Sequence, residues 1–429
     1  MALVLENHRY DADRCIRCGG CKWVDHIYMG HPRWGVKCPS IARYLFDPYA
    51  AYGRLQLALG LMDGELEITP SFVDAVFQCQ LCGACDVGCK RNLDLEIQDT
   101  LMALRQRVVD KGKGPLPGHK KAAGNIESTW NIFGSRKKER FSWMPSGIQP
   151  AAKADVLYWA GCYPAYTQSE TAQATVKLLK AAGVDFAVLG ESEWCCGQML
   201  FTTGQTELAL KVAQHNIDAI KASGAKTVLT SCPECLTALK VEYPKLLGKS
   251  TSDMPYQVVH LTEFMEPLVK NGAIKLNKPL PMRVTYHDPC HLSRMSEPWV
   301  QWEGTRGQYG VLQPPKQWRR GTNGVYQQPR NIMGAIPGLE LVEMQRTREN
   351  AFCCGAGGGV REGLNDFALW TAQERLTEAK ETAGTNTLVL ACPHCKANFT
   401  DAIKKSGDNM KVYDIAELMV KALSQGKEA

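Results

Sequence analysis

Two short runs carry three cysteines each at the same interval: Cys15, Cys18 and Cys21 in CIRCGGC, and Cys79, Cys82 and Cys85, followed by Cys89, in CQLCGACDVGC. Thiolates at that spacing on a glycine-bearing loop reach three corners of a cubane 4Fe-4S cluster, and a fourth cysteine from elsewhere closes it. Four-cysteine zinc is the alternative, but zinc sites are usually built from two C-x-x-C pairs and not from triplets. Where two such clusters share a domain, the fourth cysteine of each motif serves the other cluster. That rule assigns Cys89 to Cys15, Cys18 and Cys21, and Cys38, in KCPS, to Cys79, Cys82 and Cys85. Pro39 completes the expected C-P pair, although the sixteen residues between Cys21 and Cys38 are a longer interval than the usual motif has.

The other ten cysteines form two sets on one plan. VLYWAGC ends at Cys162, EWCCG holds Cys195 and Cys196, and SCPEC holds Cys232 and Cys235; later VTYHDPC ends at Cys290, FCCG holds Cys353 and Cys354, and ACPHC holds Cys392 and Cys395. Adjacent side chains on an extended segment point apart. A CC pair therefore serves one compact centre only where the backbone turns sharply, which Gly197 and Gly355 permit. A strained disulfide between neighbours is the rival reading; the C-x-x-C downstream of each doublet argues for shared metal ligation.

These cysteines need elements to carry them. Each group follows an apolar, strand-like run, and segments such as SETAQATVKLLKAAG and ELALKVAQHNIDAIKASG between them have helical spacing. The copies also close alike, in YQVVHLTEFMEPLVKNG and MKVYDIAELMVKALSQG. Duplication is the simplest account, and alternating strand and helix predicts a parallel sheet covered by helices in each copy. Ligands in such sheets collect beyond the carboxyl ends of strands, where every cysteine group of the repeat falls. Before residue 115 the pattern is helical, with EIQDTLMALRQRVVDKG an amphipathic helix ending near Gly112. The expected domains are 1–115, a Gly-, Pro- and Lys-rich linker with some helix over 116–153, a first repeat at 154–272 and a second at 280–425. In the linker, Arg136, Lys137, Lys138 and Arg140 read as a solvated face.

A chain of 429 residues has room for two or three domains. Its 45% hydrophobic and 22% charged content is that of an ordinary soluble protein. A net charge of +6 is too weak to argue for nucleic acid. The N-terminus lacks the pattern of a signal peptide, and no run approaches the ~18 apolar residues of a spanning helix. The expectation is a cytoplasmic protein without a direct membrane span. There, eighteen reduced cysteines indicate metal or redox chemistry and not a disulfide framework.

The order of parts, ferredoxin-type triplets followed by C-x32-CC-x35-C-x-x-C and C-x62-CC-x37-C-x-x-C, resembles the D-like branch of the heterodisulfide reductases, with its duplicated cysteine-rich CCG domain. The similarity extends to the soluble D-like subunit of benzoyl-CoA reductase type complexes. The fold class expected is α+β multidomain: a helical two-cluster ferredoxin-like domain followed by two Rossmann-like α/β CCG repeats. The resemblance implies a noncubane 4Fe-4S cluster, two fused smaller units with a bridging thiolate, on each five-cysteine set. Cys162, Cys195, Cys196, Cys232 and Cys235 would hold one; Cys290, Cys353, Cys354, Cys392 and Cys395 the other, with zinc in one set left open. It further implies an iron-sulfur oxidoreductase subunit. Electrons from a flavoprotein or iron-sulfur partner subunit would enter at the cubane clusters and pass to the CCG sets, to reduce a disulfide or be handed onward. A pure electron conduit of the benzoyl-CoA reductase type is one alternative; an iron-sulfur subunit of a glycerol-3-phosphate, lactate or glycolate dehydrogenase is another.

Polar residues crowd the second set. His287, Asp288, His291 and Arg294 surround Cys290, and His394 lies inside the last C-x-x-C. His287 and His291 are candidate proton donors to a departing thiolate; hydrogen bonding to cluster sulfur or to neighbouring backbone is the plainer role. GAGGG, residues 355–359, places Val360 where a dinucleotide fingerprint needs glycine, and is assigned to close backbone approach to a cluster. The second copy also carries an insertion over 299–330, with Trp299, Trp302, Trp318, Arg319 and Arg320, read either as a lid or docking surface or as a plain loop.

Overall fold

From residue 156 onward, strand and helix alternate as the apolar runs dictate. β1 (Val156–Trp159), β2 (Phe186–Ala187), β3 (Thr227–Thr230) and β4 (Gln257–His260) form an all-parallel sheet in the order β2-β1-β3-β4. β5 (Met282–Tyr286) opens the second copy. After a short antiparallel pair, β6 (Thr305–Arg306) and β7 (Leu312–Gln313), come β8 (Leu339–Leu341), β9 (Thr387–Leu390) and β10 (Lys411–Asp414). The second sheet, in the order β8-β5-β9-β10, repeats the plan of the first strand for strand. Leu157, Val228 and Leu229 in one sheet and Leu388, Val389 and Leu390 in the other are fully buried, as strands covered by helices on both faces require. The covering helices include Ser169–Ala181, Thr206–Ser223, Asn365–Ala383 and Pro393–Ser406. The computed structural model describes residues 4–90 and 93–424. Residues 1–3, 91–92 and 425–429, among them the outer ends of the first and last expected domains, lie outside the described residues.

Among the described residues before β1, regular structure is helical apart from an isolated bridge between Trp23 and Val36. Ala51–Met62, Pro70–Phe77 and Ile97–Asp110 pack through Leu55, Phe72, Val76, Leu101 and Leu104. The run ARYLFDPYAAYGRLQLALGLM is divided among helices Pro39–Tyr44, Asp47–Tyr49 and Ala51–Met62, because Leu45 takes a left-handed conformation (φ 51°) and closes the first. The stretch expected to link the domains contains helix Pro117–Thr129, which buries Ala122, Ala123 and Ile126.

Arg140 is not on a solvated face. It is buried, and its guanidinium pairs with buried Glu193 at 2.8 Å.

The insertion over 299–330 lies against the chain's own N-terminal helices. Lys316 pairs with Glu96 at 2.6 Å and Arg320 with Asp94 at 3.0 Å. The Arg306 guanidinium stacks 3.5 Å from the centre of the Tyr10 ring, and Arg320 donates to the carbonyl of Lys90 at 2.7 Å. The insertion straps the second repeat to the N-terminal helices, a use that neither its aromatic nor its basic composition distinguishes from a lid.

Candidate metal centres

Cys162, Cys290 and the C-P-x-C pairs of the repeat sit just beyond strands, as expected; the CC doublets do not, lying farther along, after the short 3-10 turns Gly190–Ser192 and Arg348–Asn350 that follow β2 and β8. Cys162 follows β1 and opens helix Cys162–Tyr166; Cys232 and Cys392 precede Pro233 and Pro393, the first residues of the helices after β3 and β9. Proline at a helix start has no N–H to lose and presets the helical φ, so C-P-x-C puts two thiols at a helix N-terminus, which favours thiolate. The doublets turn as required: Gly197 and Gly355 have φ of 77° and 96°. Their N–H groups donate to Cys195 Sγ (3.4 Å) and Cys353 Sγ (3.3 Å).

The thiols of each set touch in sequence. In the first, Cys162 bonds Cys195, Cys195 bonds Cys196, Cys196 bonds Cys235, and Cys235 bonds Cys232. The second repeats this through Cys290, Cys353, Cys354, Cys395 and Cys392. In the N-terminal domain Cys15, Cys18, Cys21 and Cys89 line one cavity with Gly20, Tyr52 and Gly88. Cys38 lies within electrostatic reach of Cys79 and Cys82, and Cys85 of both those thiols. The structure thus brings together all four cysteine groups that the sequence motifs define.

Thiols packed this densely cannot all ionise unaided. Cys82 and Cys196 are each held down to about 6, first by hydrogen bonds from Cys353 and from Cys195 and Cys235 respectively. Their neighbours shift the opposite way: Cys353, Cys235 and Cys395 are pushed up by the bonds they make and by burial, and burial takes Cys38 up to about 12. Metal ligation deprotonates thiols outright by supplying positive charge. All-sulfur donors are the set that suits iron-sulfur clusters and zinc, so the residues present fit such a group.

The groups also meet one another. Cys82 of the second N-terminal motif is hydrogen-bonded to Cys353 of the second repeat. Arg294, 4% exposed, clamps this junction by donating to the carbonyls of Cys82 (3.0 Å) and Ala351 (2.7 Å). Between the repeats, Glu234 inside C-P-E-C accepts a 2.8 Å ion pair from Nδ1 of His394 inside C-P-H-C, and the His394 ring packs on Tyr163 at 4.3 Å. Burial works against a charged His394, but the Glu234 carboxylate lifts it above its ordinary value.

Gly357 and Gly358 approach the backbone of a different domain from their own, and Gly359 the side chains of Thr203 and His119. An added Cβ at Gly358 would stand 2.7 Å from the carbonyl carbon of Gln80 and 2.8 Å from the oxygen of Cys79. Gly358→Ala is expected to cost about 1–3 kcal/mol in thermal unfolding, well beyond Gly407→Ala. The two share a left-handed φ (66° and 69°), but Gly407 has open space around it. Equal losses for both would mean the close approach carries no weight.

Of the polar residues singled out from sequence, His287 lies among the thiols. Its Nδ1 accepts from Arg375 Nε at 3.3 Å, which leaves Nε2 with the proton and, among the described residues, without a hydrogen-bond partner beside Cys354. Its ligand atom and those of Cys354 and Cys395 all lie within 4.8 Å of one another. His291 bonds Thr237 Oγ1 at 3.1 Å and sits 3.9 Å from Glu234. Burial holds both histidines below their ordinary value. Asp288 faces away, in a two-pronged pair with Arg330 (2.7 and 2.9 Å). Sequence reasoning missed Glu234, although its place in C-P-E-C, matching His394 in C-P-H-C, was a usable signal. It also missed Arg140, whose Nη2 is 3.8 Å from Cys162 Sγ. Arg105 went unnoticed as well, and nothing in its local sequence marks it.

Comparison with known proteins agrees with this arrangement. Residues 11–93 match the family described as 4Fe-4S dicluster domain, and residues 156–240 and 313–400 match the cysteine-rich domain named CCG. A relative from Methanosarcina acetivorans, the D subunit of a dihydromethanophenazine:CoB--CoM heterodisulfide reductase, is 35% identical over 97% of this chain and 95% of its own. The protein of that name from Methanosarcina barkeri is 34% identical over 96% and 94%. An EtfAB:quinone oxidoreductase from Syntrophomonas wolfei is 28% identical over 96% of this chain but 58% of its own length.

Proposed function

Since the chain belongs to the family of heterodisulfide reductase D subunits, and is an iron-sulfur oxidoreductase subunit with a 4Fe-4S dicluster domain and two CCG domains, we propose that its four cysteine groups form a single relay. The order is Cys15, Cys18, Cys21 and Cys89; then Cys38, Cys79, Cys82 and Cys85; then the second CCG set; then the first. Bound clusters supply one-electron transfer, cubane in the N-terminal pair and noncubane in the two CCG sets. The observation that carries this reading is the thiol contact between Cys82 and Cys353, which ties the N-terminal domain to the second repeat.

The protein's own residues set the ends of the relay. Cys18 is exposed, whereas all ten CCG cysteines are buried; electrons therefore enter beside Cys18. Ile16, Trp23, Ile27, Leu45 and Phe46 in the same N-terminal segment are exposed too, which suits a flavoprotein or iron-sulfur partner subunit. At the other end Glu234, His394 and His291 stand between the two CCG sets, where a disulfide would meet both, and His287 lies beside Cys354 and Cys395. The matching sheet orders support a Rossmann-like fold for each repeat, and the helical N-terminal part supports a ferredoxin-like one. No helix of the described residues is long and apolar enough to cross a membrane. We place the working complex at the cytoplasm, with any quinone served by another subunit.

Protein purified without oxygen should carry iron and sulfide and give EPR signals from cubane clusters on reduction. With reduced viologen as donor it should cleave a disulfide. Iron without disulfide turnover would leave a conduit within a larger complex; colourless protein, or zinc alone, would end the proposal.

A further inference from the structure

The two N-terminal cysteine groups share one buried cation. Lys37 is 2% exposed. Its backbone is fixed beside the bridge between Trp23 and Val36, donating its N–H to Lys22 O at 2.8 Å. From there the side chain runs between the groups. An added Cβ at Gly88 would lie 2.3 Å from Lys37 Nζ and 3.0 Å from the carbonyl oxygen of Gly20. Gly20 belongs to the first motif; Gly88 stands between Cys85 of one group and Cys89 of the other. Burial pulls the ammonium below its ordinary value and Arg294 adds to this; the groups that hold it charged are the thiols of Cys85, Cys21 and Cys38, drawn from both groups. Nearby cations are held elsewhere: Lys90 by Asp86 and Glu96, each at 2.7 Å, Arg54 by the carbonyls of Tyr49, Ala75 and Gln78, and Arg294 by those of Cys82, Glu349 and Ala351. The glycine at 88 makes room for the ammonium, since any side chain there would occupy its seat.

We propose that Lys37 is a positioning residue whose single fixed charge is shared by both N-terminal clusters, favouring the reduced form of each and so easing their reduction by the partner subunit. The inference rests on the reading that both groups hold cubane clusters. In the step it assists, one electron leaves the partner's donor and arrives at the N-terminal pair; no bond breaks and no proton moves. A cation close to both sites raises both reduction potentials, because each gains negative charge on reduction and the interior screens that charge poorly. A residue that merely fills space has no such signature.

The test is an EPR-monitored redox titration of the full-length iron-loaded chain, with iron counted in parallel, for wild type, Lys37→Met, Lys37→Arg and Gly88→Ala. Lys37→Met should move both midpoint potentials to more negative values with iron content unchanged, and Lys37→Arg should restore both. Gly88→Ala, which keeps the charge but displaces it, should shift both in the same direction by less. Potentials unmoved in Lys37→Met and Gly88→Ala, or a shift confined to one cluster, would overturn the inference. Should Lys37→Met lose iron, Gly88→Ala and Lys37→Arg decide by the same criterion. A wild type without cubane signals would sink the functional reading first, and is seen before any variant is compared.

Discussion

Arg105→Met is expected to loosen the junction of all three domains and remove about 3–5 kcal/mol of stability. Arg105 is fully buried and donates to the carbonyls of Val76 and Phe77 (3.2–3.3 Å), Cys79 (2.6 Å), Thr202 (2.8 Å) and Gly358 (2.7 Å). Those carbonyls come from helix Pro70–Phe77 and the start of the second N-terminal motif, from the end of helix Gln198–Thr202 after the first CC doublet, and from the glycine loop after the second. Burial lowers the guanidinium to about 10, so it remains charged at neutral pH, neutralised by carbonyl dipoles. Methionine fills part of the volume but leaves the carbonyls without donors, at about 1–3 kcal/mol for each one that stays dry. Against a typical total of about 5–15 kcal/mol, the loss is large. Denaturant unfolding of anoxically purified protein measures it, and iron bound near Cys79 should fall in parallel. Arg107→Met is the control: its partner Glu6 is exposed to solvent, at 2.6 Å, and such pairs contribute about 0–1 kcal/mol. Equal stability of the two variants would show that Arg105 is not the keystone its contacts suggest.

Cys353→Ser should abolish reduction of both CCG sets, whereas Cys195→Ser should abolish only one. Cys353 bonds both Cys82 and Cys354, so it belongs to its own set and to the boundary with the N-terminal domain. Cys195 holds the matching place in the first repeat, next to Cys162 and Cys196, and among the described contacts no N-terminal cysteine reaches it. If electrons reach the first set through the second, losing the second strands the first in its oxidised form even where its metal is retained. Metal content and EPR on stepwise reduction by a low-potential donor separate these outcomes. Reduction of the first set at the wild-type rate in Cys353→Ser would refute the order of the relay and leave two independent branches.

Much of the candidate site was legible in the chain because its motifs are local. C-x-x-C-x-x-C and CCG put thiols within a few residues of one another, and the covalent chain alone keeps them close. The strand-helix alternation was legible for a related reason: an apolar run flanked by amphipathic segments has few other ways to bury itself. The solvated reading of Arg140 failed because burial is a property of what packs above a residue. The loop that carries it folds onto Glu193, whose carboxylate also accepts the N–H groups of Ala160 and Gly161. The aromatic and basic insertion resolved as a strap only through Glu96 and Asp94, far away in sequence.

The sequence by itself determined which thiols are candidate metal ligands, how they fall into motif groups, and that the second half is a duplicated α/β plan, since each follows from residue type and short-range spacing. Only the tertiary structure decided which group abuts which. It also decided where cations are buried between them, and that Glu234 and His394 face each other across the repeats. Those relations depend on the docking of separately formed layers, where a side chain finds its partner through packing and desolvation and not through its neighbours in the chain.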